Sequence, residues 1–207
     1  MTIADILQDF QLSVQQVDSL VVNAHRTDAA GVFLFPAIDR EQITVAGLLN
    51  LFIAWESFLE GSLAELMTGA VTISGGIPVR YVIPPTIDAA RTMVLGISRY
   101  FDYANIDNVK KIVSQYFDKG YPYEPHISGV TTDLNDLRTM RNASAHISIS
   151  TQRALESLAQ RLLHTPKSGI KLYDLLTAPV PTGTMGATVL SEYKDKLLVV
   201  AGLIAQG

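Results

Sequence analysis

The chain has 207 residues, of which 48% are hydrophobic and 17% charged, with no cysteine and a formal net charge of −4. That length fits one domain spanning 1–207 and able to bury its own core, and the apolar content excludes an intrinsically disordered chain. The missing cysteines exclude disulfides, thiolate nucleophiles and the common zinc frameworks; 16 basic against 20 acidic residues, with no run of like charge, exclude a broad grip on nucleic acid and leave only a small local phosphate site.

The opening MTIADILQDF holds acidic residues and no basic cluster, which is unlike a secretory signal or a transit peptide. Residues 2–25 read as a first helix, because Ile3, Ile6, Leu7, Phe10, Val14, Val17, Leu20 and Val21 recur at helical spacing. Gly31 and Pro36 break it. A long second helix is predicted over 40–67, where Leu48, Leu49, Phe52, Ile53, Trp55, Phe58, Leu59, Leu63 and Leu66 make the first half apolar nearly all round. Such a helix is buried on more than one side, as a central core helix or an oligomer contact. No uninterrupted apolar run reaches the roughly 18 residues of a membrane span, so the expected location is cytoplasmic with no membrane partner. Within this helix Glu56 and Glu60 form a pair four residues apart, and the plain reading puts both at the solvent edge.

Between 69 and 85 the helical period is lost, giving a long loop with a short extended or hairpin segment around Gly75-Gly76. No Gly-Lys-Ser or Gly-Lys-Thr follows, so the glycines are not a phosphate cradle. A helix resumes over 86–103, and Asn105 caps another over 106–117 with Val109, Ile112, Val113 and Phe117 inward. Residues 118–130 read as a loop rich in aromatics and prolines. Its Tyr121 and Tyr123 either pin the loop to the bundle or stack on an unpaired base as substrate-binding residues.

Asp133 is placed to cap a helix on which Leu134, Leu137, Arg141 and Ala145 share a face. Arg141 thus falls in an apolar stripe, and a guanidinium there needs an anion, a wet cleft or a ligand. Asn142 and His146, four apart, share the adjoining face. Arg and His at a helix end are also what favourable interaction with the helix dipole alone would give. Beyond this lie a helix over 152–164 capped by Ser150 or Thr151, a short turn over 171–176, a loop over 179–187 and a final helix over 188–205. The sum is an all-α bundle of five to seven helices with a long loop after the second.

The stretch Arg141-Asn142-Ala143-Ser144-Ala145-His146 resembles the motif of the HEPN superfamily, an Arg followed by a polar residue and, after four intervening residues, a His. Trp55-Glu56 with the following Phe58-Leu59 resembles the Trp-Glu-x-Phe stretch of HEPN proteins related to the RiboL-PSP-associated group, and the likeness extends over about 43–150. The resemblance implies a HEPN-like fold and a metal-independent endoribonuclease without cofactors, of toxin or phage-defence type. In that role His146 moves protons, Arg141 stabilises charge on the phosphoryl oxygens, Asn142 orients the phosphate or His146, and Glu56 holds Arg141. It further implies an RNA substrate, a homodimer with the site at its two-fold interface, and an antitoxin or regulatory partner. Ile147-Ser148 departs from related sequences, which often have Gly after the His. The alternative from another class is a catalytically inert HEPN-like module for dimerisation or for binding nucleic acid or a partner, which would suit an acidic chain.

Overall fold

The computed structural model describes residues 1–145, 148–181 and 186–207. Among them the chain forms α1 (Ile3–Ala24), α2 (Ala37–Thr68), α3 (Ile87–Leu95), α4 (Ile106–Tyr116), α5 (Tyr123–Gly129), α6 (Thr131–Ala145), α7 (Ile149–Leu163), α8 (Leu172–Thr177) and α9 (Val189–Gln206), with a 3-10 turn at Asp118–Gly120. No strand occurs among the described residues; there are only isolated antiparallel bridges, such as Arg80 with Phe117 and Pro179 with Thr188. The protein is an all-α helical bundle. Its helices outnumber the five to seven expected because two short ones, α5 and α8, form where the sequence reads as an aromatic loop and a turn.

The chain divides into two compact units. One comprises Met1–Gln11, Ala54–Asn135 and Leu197–Gly207; the other comprises Leu12–Ile53 and Asp136–Lys196. In the first unit the core is built on aromatics at helical spacing. Phe10 of α1 meets Trp55 edge-on and Phe58 at a tilt, with centroids 6.1 and 5.5 Å apart, while Trp55 stacks on Phe58 at 5.8 Å. α3 begins where the Thr86 hydroxyl accepts from the Ala89 amide, and it stops at Gly96, whose φ of +57° lies in the left-handed region. That stop is why the helix expected over 86–103 is shorter. α4 follows the sequence closely: Asn105 caps it by accepting from the Asp107 amide, and Ile106, Val109 and Val113 are buried. The long loop after α2 is present, but Gly75-Gly76 makes no hairpin. Instead Tyr81 N–H donates to the Tyr116 carbonyl and Asp118 N–H to the Val79 carbonyl, tethering the loop to the end of α4.

In the second unit, α1 and α2 approach closely at Gly47, where a Cβ would stand 2.9 Å from Val21 Cγ2. α7 starts earlier than the sequence suggests. Ser148 is its cap, accepting from the Thr151 amide while the Thr151 hydroxyl accepts from the Ser148 amide, a reciprocal box that outcompetes Ser150 and Thr151 as caps.

α2 contains an 18-residue window of mean hydropathy 1.4 and is, among the described residues, the one helix long and apolar enough by composition to cross a membrane. No uninterrupted apolar run marks it in the sequence, because single polar residues such as Asn50 and Glu56 break the stretch. Leu48, Leu51, Phe52, Trp55 and Phe58 along it are buried, and a core helix meets the same test.

Candidate functional site

The C-terminal half of α6 holds Arg141 and Asn142, two of the residues singled out by the sequence. Leu134, Leu137 and Met140 are buried along it, spaced at three, and Asp136 is buried beside them. Ala145, expected on this face, is exposed. The helix begins at Thr131, two residues before the expected cap, so Asp133 lies in its first turn, where a carboxylate is favoured by the helix dipole.

Asp136 is the residue that the sequence reading missed. The residue is 7% exposed, and its carboxylate accepts from two side chains distant in the chain. The Arg161 guanidinium of α7 binds Oδ1, and the Tyr193 hydroxyl of α9 donates to Oδ2 at 2.7 Å. The hydrogen bond to Asp136 holds the Arg161 guanidinium protonated more firmly than usual, against the opposing effect of its burial. Each oxygen thus has a strong donor, which is what makes a carboxylate tolerable at this depth. The signal was present in part: Asp136 and Met140 are four apart on the buried face, but its partners stand 25 and 57 residues away with no pattern to announce them.

One turn further on, Arg141 is half-buried and differently placed. Its Nη1 donates to Oδ1 of Asn142 at 3.2 Å, and its guanidinium carbon lies 5.9 Å from the centroid of the Phe52 ring, within reach of a cation–π contact. Its own carbonyl accepts from the Ser144 hydroxyl at 2.6 Å. Among the described residues it forms no ion pair. Asn142 is half-buried and, with its oxygen turned to Arg141, has its amide N–H groups left to donate. The positive charge is therefore set against an aromatic face and an amide oxygen, neither of which cancels it.

The other predicted residues fall as follows. Glu56 is half-buried on α2, in the first unit, next to the buried Trp55. Tyr121 is 39% exposed at the turn before α5. Tyr123 is a correction: its ring is fully buried, tilted against Phe117 with centroids 6.1 Å apart, and its hydroxyl donates to Ser62 Oγ at 3.0 Å. Burial pushes that hydroxyl far above the usual phenol range. No base can stack on a ring that solvent does not reach, so Tyr123 pins α5 to α2 within the first unit and is no substrate contact. His146 lies outside the described residues, as does Ile147. Among the described residues, no three His, Asp or Glu side chains group as a metal site would require.

No protein-family model matches the chain, and no curated protein or solved structure matches it either.

Proposed function

We propose that the protein is a metal-independent endoribonuclease of toxin or defence type that works at Arg141, Asn142 and His146. The observation that carries this reading is the half-buried guanidinium of Arg141, held by Asn142 and faced by Phe52, without a carboxylate among the described residues. A charge kept in this way is available to a phosphate, and the planar fork of an arginine suits two phosphoryl oxygens at once. The Asn142 amide can donate to a third.

The reaction is attack of a ribose 2′-oxygen on the adjacent phosphorus. The 2′-hydroxyl proton passes to a base as the new P–O bond forms; the bond from phosphorus to the 5′-oxygen breaks, and that oxygen takes a proton. The products are a 2′,3′-cyclic phosphate and a free 5′-hydroxyl. His146 has the residue type for the proton transfers near neutral pH, and Arg141 that for the charge on the phosphoryl oxygens. The HEPN resemblance adds a homodimer in which two such motifs share a cleft, concentrating positive charge locally on an acidic chain.

The test is cleavage of total RNA by purified protein in EDTA, with the ends mapped. Arg141→Ala and His146→Ala should each reduce cleavage on the order of a hundredfold or more. Mixing the two inactive variants should restore part of the activity if one cleft draws on two chains. Absence of cleavage by the wild-type chain at any concentration removes the enzyme reading and leaves the inert binding module, which the net charge of −4 favours.

A further inference from the structure

Within the second unit, α1, α2, α8 and α9 enclose a pocket of about 340 Å³. It belongs neither to the Arg141 end of α6 nor to the Asp136 cluster. Its apolar walls are Val17, Val21, Leu51, Leu176 and Leu190, an aliphatic surface, with the His25 imidazole at the edge. The size is in the range of small-molecule sites, which are mostly apolar with a few placed polar groups.

The polar groups at its edge are nearly all engaged with the protein itself. The Thr44 hydroxyl donates to the Arg40 carbonyl at 2.8 Å, and the Thr177 hydroxyl to the Tyr173 carbonyl at 2.9 Å. The Ser191 hydroxyl donates to the Thr188 carbonyl at 2.9 Å. His25 Nδ1 faces the Val21 carbonyl at 2.9 Å and so carries its proton there, leaving Nε2 to accept from the Tyr173 hydroxyl at 3.2 Å. Lys194 differs. Its ammonium has three N–H groups, of which one meets Asp18 Oδ1 at 2.7 Å, while the nearest Asp195 oxygen stands at 3.7 Å. Its side chain is 18% exposed, so a donor is left in a largely desolvated place.

Those charges also select the ligand. An anionic head would meet one ammonium already shared by two carboxylates, and a cationic head would compete with Lys194 for Asp18. A neutral oxygen acceptor meets neither obstacle. Size follows from comparison: an apolar cavity of about 150 Å³ holds benzene, so this one has space for roughly ten carbon atoms.

We propose that the pocket binds a neutral, compact aliphatic molecule of this size bearing one oxygen, its hydrocarbon against the valines and leucines and its oxygen accepting from Lys194. The site is independent of RNA cleavage and stands whether or not the protein is a ribonuclease.

The experiment is titration of the full chain with 1-decanol, followed by NMR of the methyl groups, beside decanoate, decylamine and nonane. Decanol should saturate at one equivalent, shifting the methyls of Val17, Val21 and Leu51, and should bind more tightly than either charged analogue. Lys194→Met, which keeps the aliphatic stem, should weaken decanol about fivefold or more and leave nonane unchanged. Val22→Trp, at a lining position that is 59% exposed and tolerant of bulk, should weaken both. It keeps the test decisive if the Lys194 variant does not fold. Absence of saturation up to the solubility limit of decanol, tighter binding of decanoate or decylamine, or unchanged decanol affinity in either folded variant would overturn the proposal.

Discussion

Asp136 and Arg141 stand five residues apart on one helix, and both are charged groups withdrawn from water, yet the protein treats them in opposite ways. Asp136 is closed: both its oxygens accept from side chains that α7 and α9 bring to it. Arg141 is open: it has an amide oxygen and an aromatic face, and no ion pair among the described residues. A buried carboxylate with a donor on each oxygen ties three helices together. A half-buried cation with no counter-ion among the described residues holds little together there, and its positive potential remains available. The difference separates a structural charge from a candidate functional one by partner count rather than by depth.

The comparison is sharpened most by breaking the closed end. Asp136→Ala leaves the Tyr193 hydroxyl buried without its acceptor and Arg161 without its carboxylate. The expected loss is about 2–4 kcal/mol of unfolding free energy in urea, moderated because the Arg161 side chain is 51% exposed and regains water. Asp136→Asn, which keeps shape but cannot accept at both sites, should fall between that and wild type. If Asp136→Ala unfolds at the wild-type urea concentration, the cluster is not what ties these helices.

At the open end the expected stability change is small. Arg141→Ala removes one neutral-acceptor hydrogen bond and a long cation–π contact, so unfolding should shift by about 1 kcal/mol or less. The same variant carries the large loss of cleavage expected above. A stability loss equal to that of Asp136→Ala would place Arg141 in the structural class and remove the support it gives to the ribonuclease reading.

The smallest effect concerns a third charged group, a carboxylate nearer to water whose two donors both meet one oxygen, Oε1. Glu156 on α7 accepts from the Gly169 amide at 2.7 Å and from Gln152 Nε2 at 3.2 Å. The Gly169 amide, then Gln152, hold its carboxyl below the ordinary glutamate range. A depressed folded-state pKa contributes stability that is fully present above the ordinary range and is lost as pH falls through the depressed value. The Gly169 amide resonance should therefore titrate at a pH below that of an ordinary glutamate, and Glu156→Gln should abolish the titration. A Gly169 midpoint at the ordinary value would show that these two donors do not hold the Glu156 carboxyl below its usual range.

Local pattern and local chemistry were legible in the sequence. The inward faces of α1 and α4, apart from the exposed Leu20, the Asn105 cap, the long loop after α2 and the proximity of Arg141 to Asn142 all follow from spacings of one to four residues, which a helix converts directly into neighbours. Where a helix stops was less legible, because the end of α3 rests on the positive φ of Gly96, and the start of α7 on which of three hydroxyl residues, Ser148, Ser150 or Thr151, wins the cap. The burial of Tyr123 could not be read at all. An aromatic between prolines suits an exposed loop or a core anchor equally, and only the Ser62 hydroxyl, 61 residues away, made it an anchor. The same holds for Asp136, whose partners come from helices remote in the chain. The sequence determined the longer helices, though not the short α5 and α8, and the position of the Arg141 motif, since those depend on backbone period. Which charges were closed and which were left open was decided by the tertiary structure, because a charge is neutralised by whatever packing brings within hydrogen-bond reach, and that is not a local property.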